Sequence, residues 1–437
     1  MAPKSSSLTA VSLFSGAGGC CMGIKAARFR VLVAVESDAD AVRTLGANAS
    51  ETPVFEGDIR YFLGRHAASQ RRKYGLDDVD LVFGGPPCQG HSSAGQRNPE
   101  DARNALWRQF ARVVAELQPR ALIFENVPGL LQTAAGRLAE EILDNFRALG
   151  YENAHILQLD AADFGVPQIR KRIFVTATRN DVPLASPLAD IMRDSLHRAH
   201  RPRVSVSEAI GDLPGQVWPS GHGMVPYPAS AASAYARAAR RGSPGLTHHH
   251  TKDVRDSRRR EIIAALAPGA DGSSLPSELF TGSRGMKWRR LHPHRCSPTV
   301  LANAGRDLSS WIHPVFNRFI TVREAARLQG FPDSFVFPVS ESAALAQIGN
   351  AVPPALAQVV ASAIAKALGG GAEVRRRGRP PSGERALTGV ERRRAWRERH
   401  AVESLELPGA VVAEIRAIAA RTGRTMAEVV AAAITRG

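Results

Sequence analysis

The chain has 437 residues, 44% of them hydrophobic, and no apolar run approaches the ~18 residues of a membrane span, so a soluble chain of two or three domains with no membrane partner is expected. Its four cysteines, Cys20, Cys21, Cys88 and Cys296, form neither a CxxC pair nor a disulfide-like framework, and Met1 to Leu8 holds no apolar segment of signal-peptide length; a cytoplasmic protein is expected, and a zinc site is not. A net charge of +16 points to a polyanionic partner, most simply nucleic acid; 50 of the 57 basic residues are arginine, which a GC-rich genome would favour without explaining the excess of positive charge.

Taken in chain order, Val11 to Phe14 reads as a short apolar strand, followed by the glycine turn Ser15-Gly-Ala-Gly-Gly19 and a helix from about Met22 to Arg28. Val31 to Glu36 is a second strand and Ala39 to Asn48 a second helix. Asp80 to Phe83, Ala121 to Phe124 and Arg172 to Thr178 supply further strands, with helices over Leu106 to Leu117 and Gly136 to Leu149 between them. Alternation of this kind predicts an α/β fold with a doubly wound, Rossmann-like sheet. From about Pro183 to Pro314 the periodicity dissolves into Pro, Gly, Ser, His and Arg; so long a stretch is a small irregular domain or an inserted recognition module, not a plain loop. Helical pattern returns at Thr321 to Leu328 and Pro354 to Leu368, and Gly369-Gly-Gly371 marks a linker. Beyond it, Arg375 to His400 carries ten Arg against three Glu, and Ser404 to Ile434 shows a short alternating stretch and two helical patterns broken at Thr422-Gly423.

Two short segments carry chemistry. Gly84 to Gly90 reads GGPPCQG; the paired prolines fix two φ angles and force extended backbone, so the Cys88 thiol sits on a stiff loop after a buried strand, where an open α/β sheet places its chemistry. The N-terminal strand, glycine turn and helix suit a nucleotide-type ligand, because bare glycines and helix N-terminal amides let a ligand approach the backbone. Glu36, about 20 residues on, is placed to hold ribose hydroxyls. FSGAGG lacks the final spacing of GxGxxG, which favours a cofactor without a pyrophosphate.

FSGAGG, GGPPCQG, Glu125-Asn-Val127, Gln168-Ile-Arg-Lys-Arg172, Arg323-Glu-Ala-Ala-Arg-Leu-Gln-Gly-Phe-Pro-Asp333 and Gln347-Ile-Gly-Asn-Ala-Val352 together resemble the ordered motif set of the bacterial DNA (cytosine-5) methyltransferases, over roughly residues 10 to 368. The resemblance implies methyl transfer from S-adenosyl-L-methionine to carbon 5 of a flipped cytosine in a specific double-stranded DNA sequence, through a covalent Cys88 adduct at carbon 6. It implies Cys88 as nucleophile, Glu125 as the acid facing ring nitrogen 3, Arg172 at the cytosine carbonyl oxygen and Arg170 supporting the catalytic loop. It assigns the cofactor to Phe14, Ser15, Gly16, Gly18, Gly19, Glu36, Ser37, Asp58, Ile59 and Pro87, closed by Asn350 and Val352. Asn126 is expected to fix its loop through side-chain to backbone bonds. The loop Gln89 to Asn98 would close around the flipped nucleotide. A tRNA cytosine methyltransferase with the same motifs is the rival enzyme.

The same resemblance divides the chain into a first catalytic part (8–185), a target recognition domain (186–317) whose end Ser297-Pro-Thr-Val-Leu301 resembles the family's Thr-centred motif, and a closing catalytic segment (318–368). His248-His-His250 invites a metal reading, but three consecutive histidines do not easily face one ion, and no metal is expected. In the tail, 369–402 resembles an AT-hook through Arg375-Arg-Arg-Gly-Arg-Pro-Pro381, with a plain basic linker as the alternative. Residues 403–437 resemble a ribbon-helix-helix unit, which would form a homodimer and could regulate transcription; a helical hairpin of another role is the alternative. A cognate restriction endonuclease is a further expected partner.

Overall fold

The computed structural model describes residues 7–87, 106–219, 223–228, 230–251, 257–279, 289–302 and 311–369, together with 417, 418 and 421. Cys88, the loop Gln89 to Asn98, the linker from residue 370 and nearly all of the 403–437 unit lie outside these residues.

A seven-stranded sheet forms the core. Its strands are β1 (Thr9–Leu13), β2 (Arg30–Glu36), β3 (Val54–Glu56), β4 (Leu81–Gly84), β5 (Ala121–Asn126), β6 (His155–Asp160) and β7 (Lys171–Thr178), in the order β3-β2-β1-β4-β5-β7-β6. The first five run parallel, and β7 lies antiparallel between β5 and β6. β1 and β5 are buried along their whole length, as near-continuous apolar runs must be when helices cover both faces. Alternate residues serve opposite faces: Val11, Leu13, Leu122 and Phe124 join one core, Ala10, Ala121 and Ile123 the other.

The first face is covered by α3 (Ala67–Tyr74), α4 (Leu106–Leu117) and α5 (Arg137–Ala148), where Phe110, Phe124 and Phe146 meet edge to face. The second is covered by α1 (Gly19–Ala26), α2 (Ala39–Asn48), α6 (Leu188–Ala199) and, from the far end of the chain, α12 (Pro354–Ala367). The first helix begins three residues earlier than its apolar pattern predicts. Gly18 takes the left-handed φ of 98° that starts α1 directly after the turn, and Arg28 at φ 68° follows its end. Apolar alternation in the sequence does not reveal β3 or β6. β3 has three residues, and β6 is a half-exposed edge strand with His155, Gln158 and Asp160 interrupting its apolar alternation.

A third core lies beside the sheet. It gathers α7 (Val206–Ile210), Leu246, Leu291, Val300 and Trp311 around α10 (Val322–Gln329) and α11 (Glu341–Asn350). Two further helices, α8 (Ala234–Ala239) and α9 (Ser257–Ala265), complete this unit, the latter on a small satellite cluster with Leu266, Ile312 and Phe319. The expected segments 186–317 and 318–368 each contribute to more than one core. Leu188, Ile191 and Met192 of α6 pack with the sheet, although they fall in the 186–317 region. Conversely α10 and α11 belong to the third core, so within 318–368 it is α12 that returns to the sheet. Apolar spacing reveals that a helix is amphipathic; it does not say which of two cores receives it.

α12 holds to the sheet by close contact with α1. An added Cβ at Gly23 would stand 2.5 Å from both Ala357 Cβ and Pro354 O, so backbone would have to move. Gly23→Val is therefore expected to lower unfolding stability by about 1–3 kcal/mol in urea titration; an unchanged midpoint would show that this helix pair does not depend on the approach.

Candidate active site

The strand order reverses between β1 and β4, and ligands of open α/β sheets bind outside the carboxyl ends of the strands at such a point. Leu13 pairs with Val35 and Gly84, and Gly84 with Phe124, so the strand ends are level. The turn after β1, the turn after β4, Glu36 at the end of β2 and Glu125-Asn126 at the end of β5 consequently share one edge.

The glycine turn is held open at this edge. Phe14 and Gly16 both take positive φ, 53° and 54°, and nothing lies within 4 Å of where a Gly16 Cβ would stand. A non-glycine residue kept at positive φ stores strain of the kind concentrated at functional sites. Ser15 is buried, its amide donating to Val35 O at 3.1 Å and its hydroxyl bonded to Ser12. The Glu36 carboxylate gathers three backbone amides, from Gly16 at 2.7 Å, Ser37 at 2.8 Å and Asp38 at 2.9 Å. An acceptor beside an uncovered glycine fits a ligand bearing hydroxyl donors, as S-adenosyl-L-methionine does on its ribose.

Of the remaining expected cofactor residues, Asp58, Ile59 and Val352 lie beside this turn or its Glu36. Glu36 O receives the Gly57 amide at 2.8 Å, which brings Asp58 and the buried Ile59 alongside. Asp58 caps the turn Ile59–Tyr61 and pairs with Arg60 at 2.7 Å; that bond holds its carboxyl below the usual range. From the far end of the chain, Val352 O would stand 2.7 Å from a Gly19 Cβ, so only glycine admits this segment, and Asn350 is exposed at the end of α11. Pro87 follows Gly84 and Gly85 and is half-buried.

Glu125 is the buried acid of the edge, at 8% exposure. Burial pushes its carboxyl above the ordinary range, and the charges of Arg172 and Arg170 pull it back. Arg172 Nε donates to Glu125 Oε1 at 3.0 Å. The other oxygen, Oε2, occupies the space that a Gly85 Cβ would need. Gly85 is thus glycine because the carboxylate rests against the β4 turn, three residues before Cys88. Asn126 ties the same turn, donating from Nδ2 to Pro86 O at 3.2 Å and accepting from Val127 N at 2.9 Å; side-chain to backbone bonds fix this loop as its position suggested.

Arg170 makes a separate set of contacts among the described residues. Its buried guanidinium grips the carbonyls of Val300 at 3.0 Å, Gly349 at 2.7 Å and Ala351 at 3.1 Å. Among the described residues its direct partners make it a positioning group, distinct from Arg172 at the carboxylate.

The segment 323–333 had a place in the motif series but no assigned role. All eight residues of α10 are buried, and Thr321 with Glu324 forms a capping box at its start. Arg327 pairs with Asp333 at 2.6 Å and Asp212 at 2.5 Å, while Arg323 caps the carbonyls of Pro332, Phe335 and Thr247. Phe331 stands 3.3 Å from a Gly19 Cβ position, and Ala17 itself enters the third core. The motif is the joint that holds the small unit against the glycine turn. Asp333 is six residues from Arg327, but Asp212 is 115 positions away, which no local pattern reveals. The histidine triplet serves this joint too: His248 Nε2 accepts from Phe337 N at 3.0 Å, with burial pushing its pKa down to about 4, and His249 Nε2 donates to Pro214 O at 2.8 Å.

Comparison with known proteins agrees with this geometry. The family of C-5 cytosine-specific DNA methylases matches residues 8–366. Type II methyltransferase M.AgeI of Thalassovita gelatinovora is 32% identical, covering 82% of this chain and 99% of its own, and M1.HphI of Haemophilus parahaemolyticus is 33% identical, covering 82% and 87%. A solved prophage-encoded protein of E. coli, described as a DNA modification methyltransferase, superposes with a TM-score of 0.66 at 28% identity, over 83% of this chain and all of its own. The chain belongs to the C-5 cytosine-specific DNA methylases and is a DNA cytosine-5 methyltransferase. Membership implies S-adenosyl-L-methionine as methyl donor and DNA as substrate.

Removing the Arg172 charge should drive the Glu125 carboxyl further up. A carboxyl raised in the folded state favours folding below its unfolded pKa, and that contribution is lost as pH rises through the folded value. Arg172→Met is accordingly expected to cost more stability relative to the unaltered protein at pH 8 than at pH 5, by urea unfolding. Equal losses at both pH values would contradict the pairing.

Proposed function

We propose that Cys88 is the nucleophile that attacks carbon 6 of a cytosine drawn out of duplex DNA, with Glu125 and Arg172 as its partners. The observation that carries this is the placement of Glu125, buried, paired with Arg172 and seated on the Gly85 backbone three residues ahead of the thiol. Carbon 5 of cytosine is a poor nucleophile, and its reacting face is stacked inside the duplex, so the base must leave the stack. Addition of the Cys88 thiolate to carbon 6 makes the ring enamine-like, and the charge that would build on nitrogen 3 is relieved by a proton or strong hydrogen bond from Glu125. A carboxyl raised by burial suits that donation near neutral pH. Arg172, beside it, is placed for the cytosine carbonyl oxygen. S-adenosyl-L-methionine, when bound, supplies an electrophilic methyl group on a sulfonium sulfur. The glycine turn, Glu36, Ser37, Asp58, Ile59 and Pro87, with Asn350 and Val352, hold and orient that donor. Loss of the carbon 5 proton and departure of the thiolate then restore the ring.

Cells expressing the protein are expected to show cytosine methylation at one short duplex sequence by bisulfite sequencing. Cys88→Ala abolishes that methylation while DNA binding survives, and Glu125→Gln slows it about 10²–10⁴-fold. Labelled methyl appearing in DNA with the Cys88→Ala enzyme, or in tRNA but not duplex DNA with the unaltered one, would overturn this reading.

Recognition of the sequence falls to the small unit between α6 and α10. The relatives' description as type II methyltransferases supports a place in a restriction-modification or phage modification system, with a cognate endonuclease as partner. The tail supplies a second contact with DNA: ten Arg against three Glu over residues 375–400 suit a basic segment lying along the minor groove or the phosphates. Residues 403–437, too short to bury a core alone, pair between two chains as a ribbon-helix-helix unit. The full chain should then run as a dimer in light scattering and a chain ending at residue 368 as a monomer. An unchanged mass per particle would dismiss the dimer.

A further inference from the structure

A closed ring of buried hydrogen bonds links the end of the recognition region to the cofactor side of the sheet. Val300, in the segment 297–301, donates its amide to Gln168 Oε1 at 2.9 Å. Gln168 Nε2 donates to Gln329 Oε1 at 2.5 Å, and Gln329 Nε2 donates to Ala351 O at 2.6 Å. Arg170 returns the path: its Nη2 reaches Ala351 O at 3.1 Å and its Nη1 reaches Val300 O at 3.0 Å. Gln168 and Gln329 are fully buried and Arg170 is 1% exposed, so an unmade bond in the ring would leave a buried polar group unsatisfied.

Each end of the ring touches a site. Beyond Val300 the chain is stitched to the segment before β7, with Ile169 N donating to Ser297 O at 2.8 Å and Thr299 Oγ1 to Ile169 O at 2.8 Å. Beyond Ala351, Val352 O rests on Gly19 of the cofactor turn. Arg172, two residues past Arg170, holds Glu125. A shift of Val300 when duplex engages the small unit has a continuous path of hydrogen bonds to Ala351 and, through Val352, to the wall of the cofactor turn.

We propose that Gln168, Gln329 and Arg170 are positioning residues that make duplex binding and methyl-donor binding depend on each other; this rests on the cofactor and DNA reading above. Linkage requires that the dependence be reciprocal. The test is calorimetric titration of S-adenosylhomocysteine, which cannot turn over, with and without a saturating duplex carrying the sequence found by bisulfite sequencing. Duplex should tighten S-adenosylhomocysteine by about 5- to 150-fold in the unaltered protein, and S-adenosylhomocysteine should tighten duplex by the same factor. Gln329→Met should cut both factors to below about 2-fold while leaving each ligand's affinity alone within about 3-fold; a merely structural residue would lower affinity or folding without removing reciprocity. Gln329→Asn, too short to span from Gln168 to Ala351 but still polar, serves as the milder variant and should show the same loss. Full coupling in a folded variant, or no coupling in an unaltered enzyme that methylates DNA, overturns the proposal. An unaltered protein that binds S-adenosylhomocysteine but methylates no DNA instead refutes the function on which it rests.

Discussion

A carboxylate kept dry governs the arrangement of this site. Glu125 closes a strand buried along its full length, and its two oxygens meet very different neighbours: a guanidinium on one side and a bare glycine backbone on the other. Gly85 has to lack a side chain, Asn126 has to brace the prolines, and β7 has to run antiparallel beside β5 so that Arg172 arrives at the carboxylate. The burial that raises the acid also makes the arginine necessary, since an unpaired buried charge is the costlier outcome. The two opposing pulls leave an acid able to hold or release a proton.

The second constraint is how a remote segment reaches the first helix. α12 closes on α1 through Gly23, and the turn before it closes on Gly19, so the end of the methylase region seals a site begun by its first strand. The small unit enters through the same place. Ala17 sits in its core, Phe331 backs the glycine turn, and the paired charges of Arg327, Asp333 and Asp212 keep α10 in register. The glycine turn, the small unit and the edge that carries Glu125 are therefore packed together around the ends of β1, β4 and β5.

Local features were legible in the sequence where local chemistry dictates them. A glycine turn after an apolar run, paired prolines ahead of a cysteine and an acid at a strand end each announce their geometry over a few residues, and the structure brings Gly16, Glu36, Pro87 and Glu125 to one edge. Features that rest on distant partners were not legible. Among the described residues the Arg170 guanidinium grips carbonyls 130 to 181 positions away, partners that no local pattern names. The same holds for α6, a helix within the stretch where no periodicity was expected, and for the Arg327 charge of α10, whose partner Asp212 lies 115 positions away.

The most direct measurement of the central claim is covalent trapping. Fluorine at carbon 5 cannot leave as a proton does, so a duplex carrying 5-fluorocytosine at the methylated position should hold the enzyme after methyl transfer. Mass spectrometry of the digested complex is predicted to place the modified nucleotide on the peptide containing Cys88, with little adduct formed by Glu125→Gln. Methylation of ordinary duplex with no trapped species, or an adduct mapped to another residue, would contradict the account.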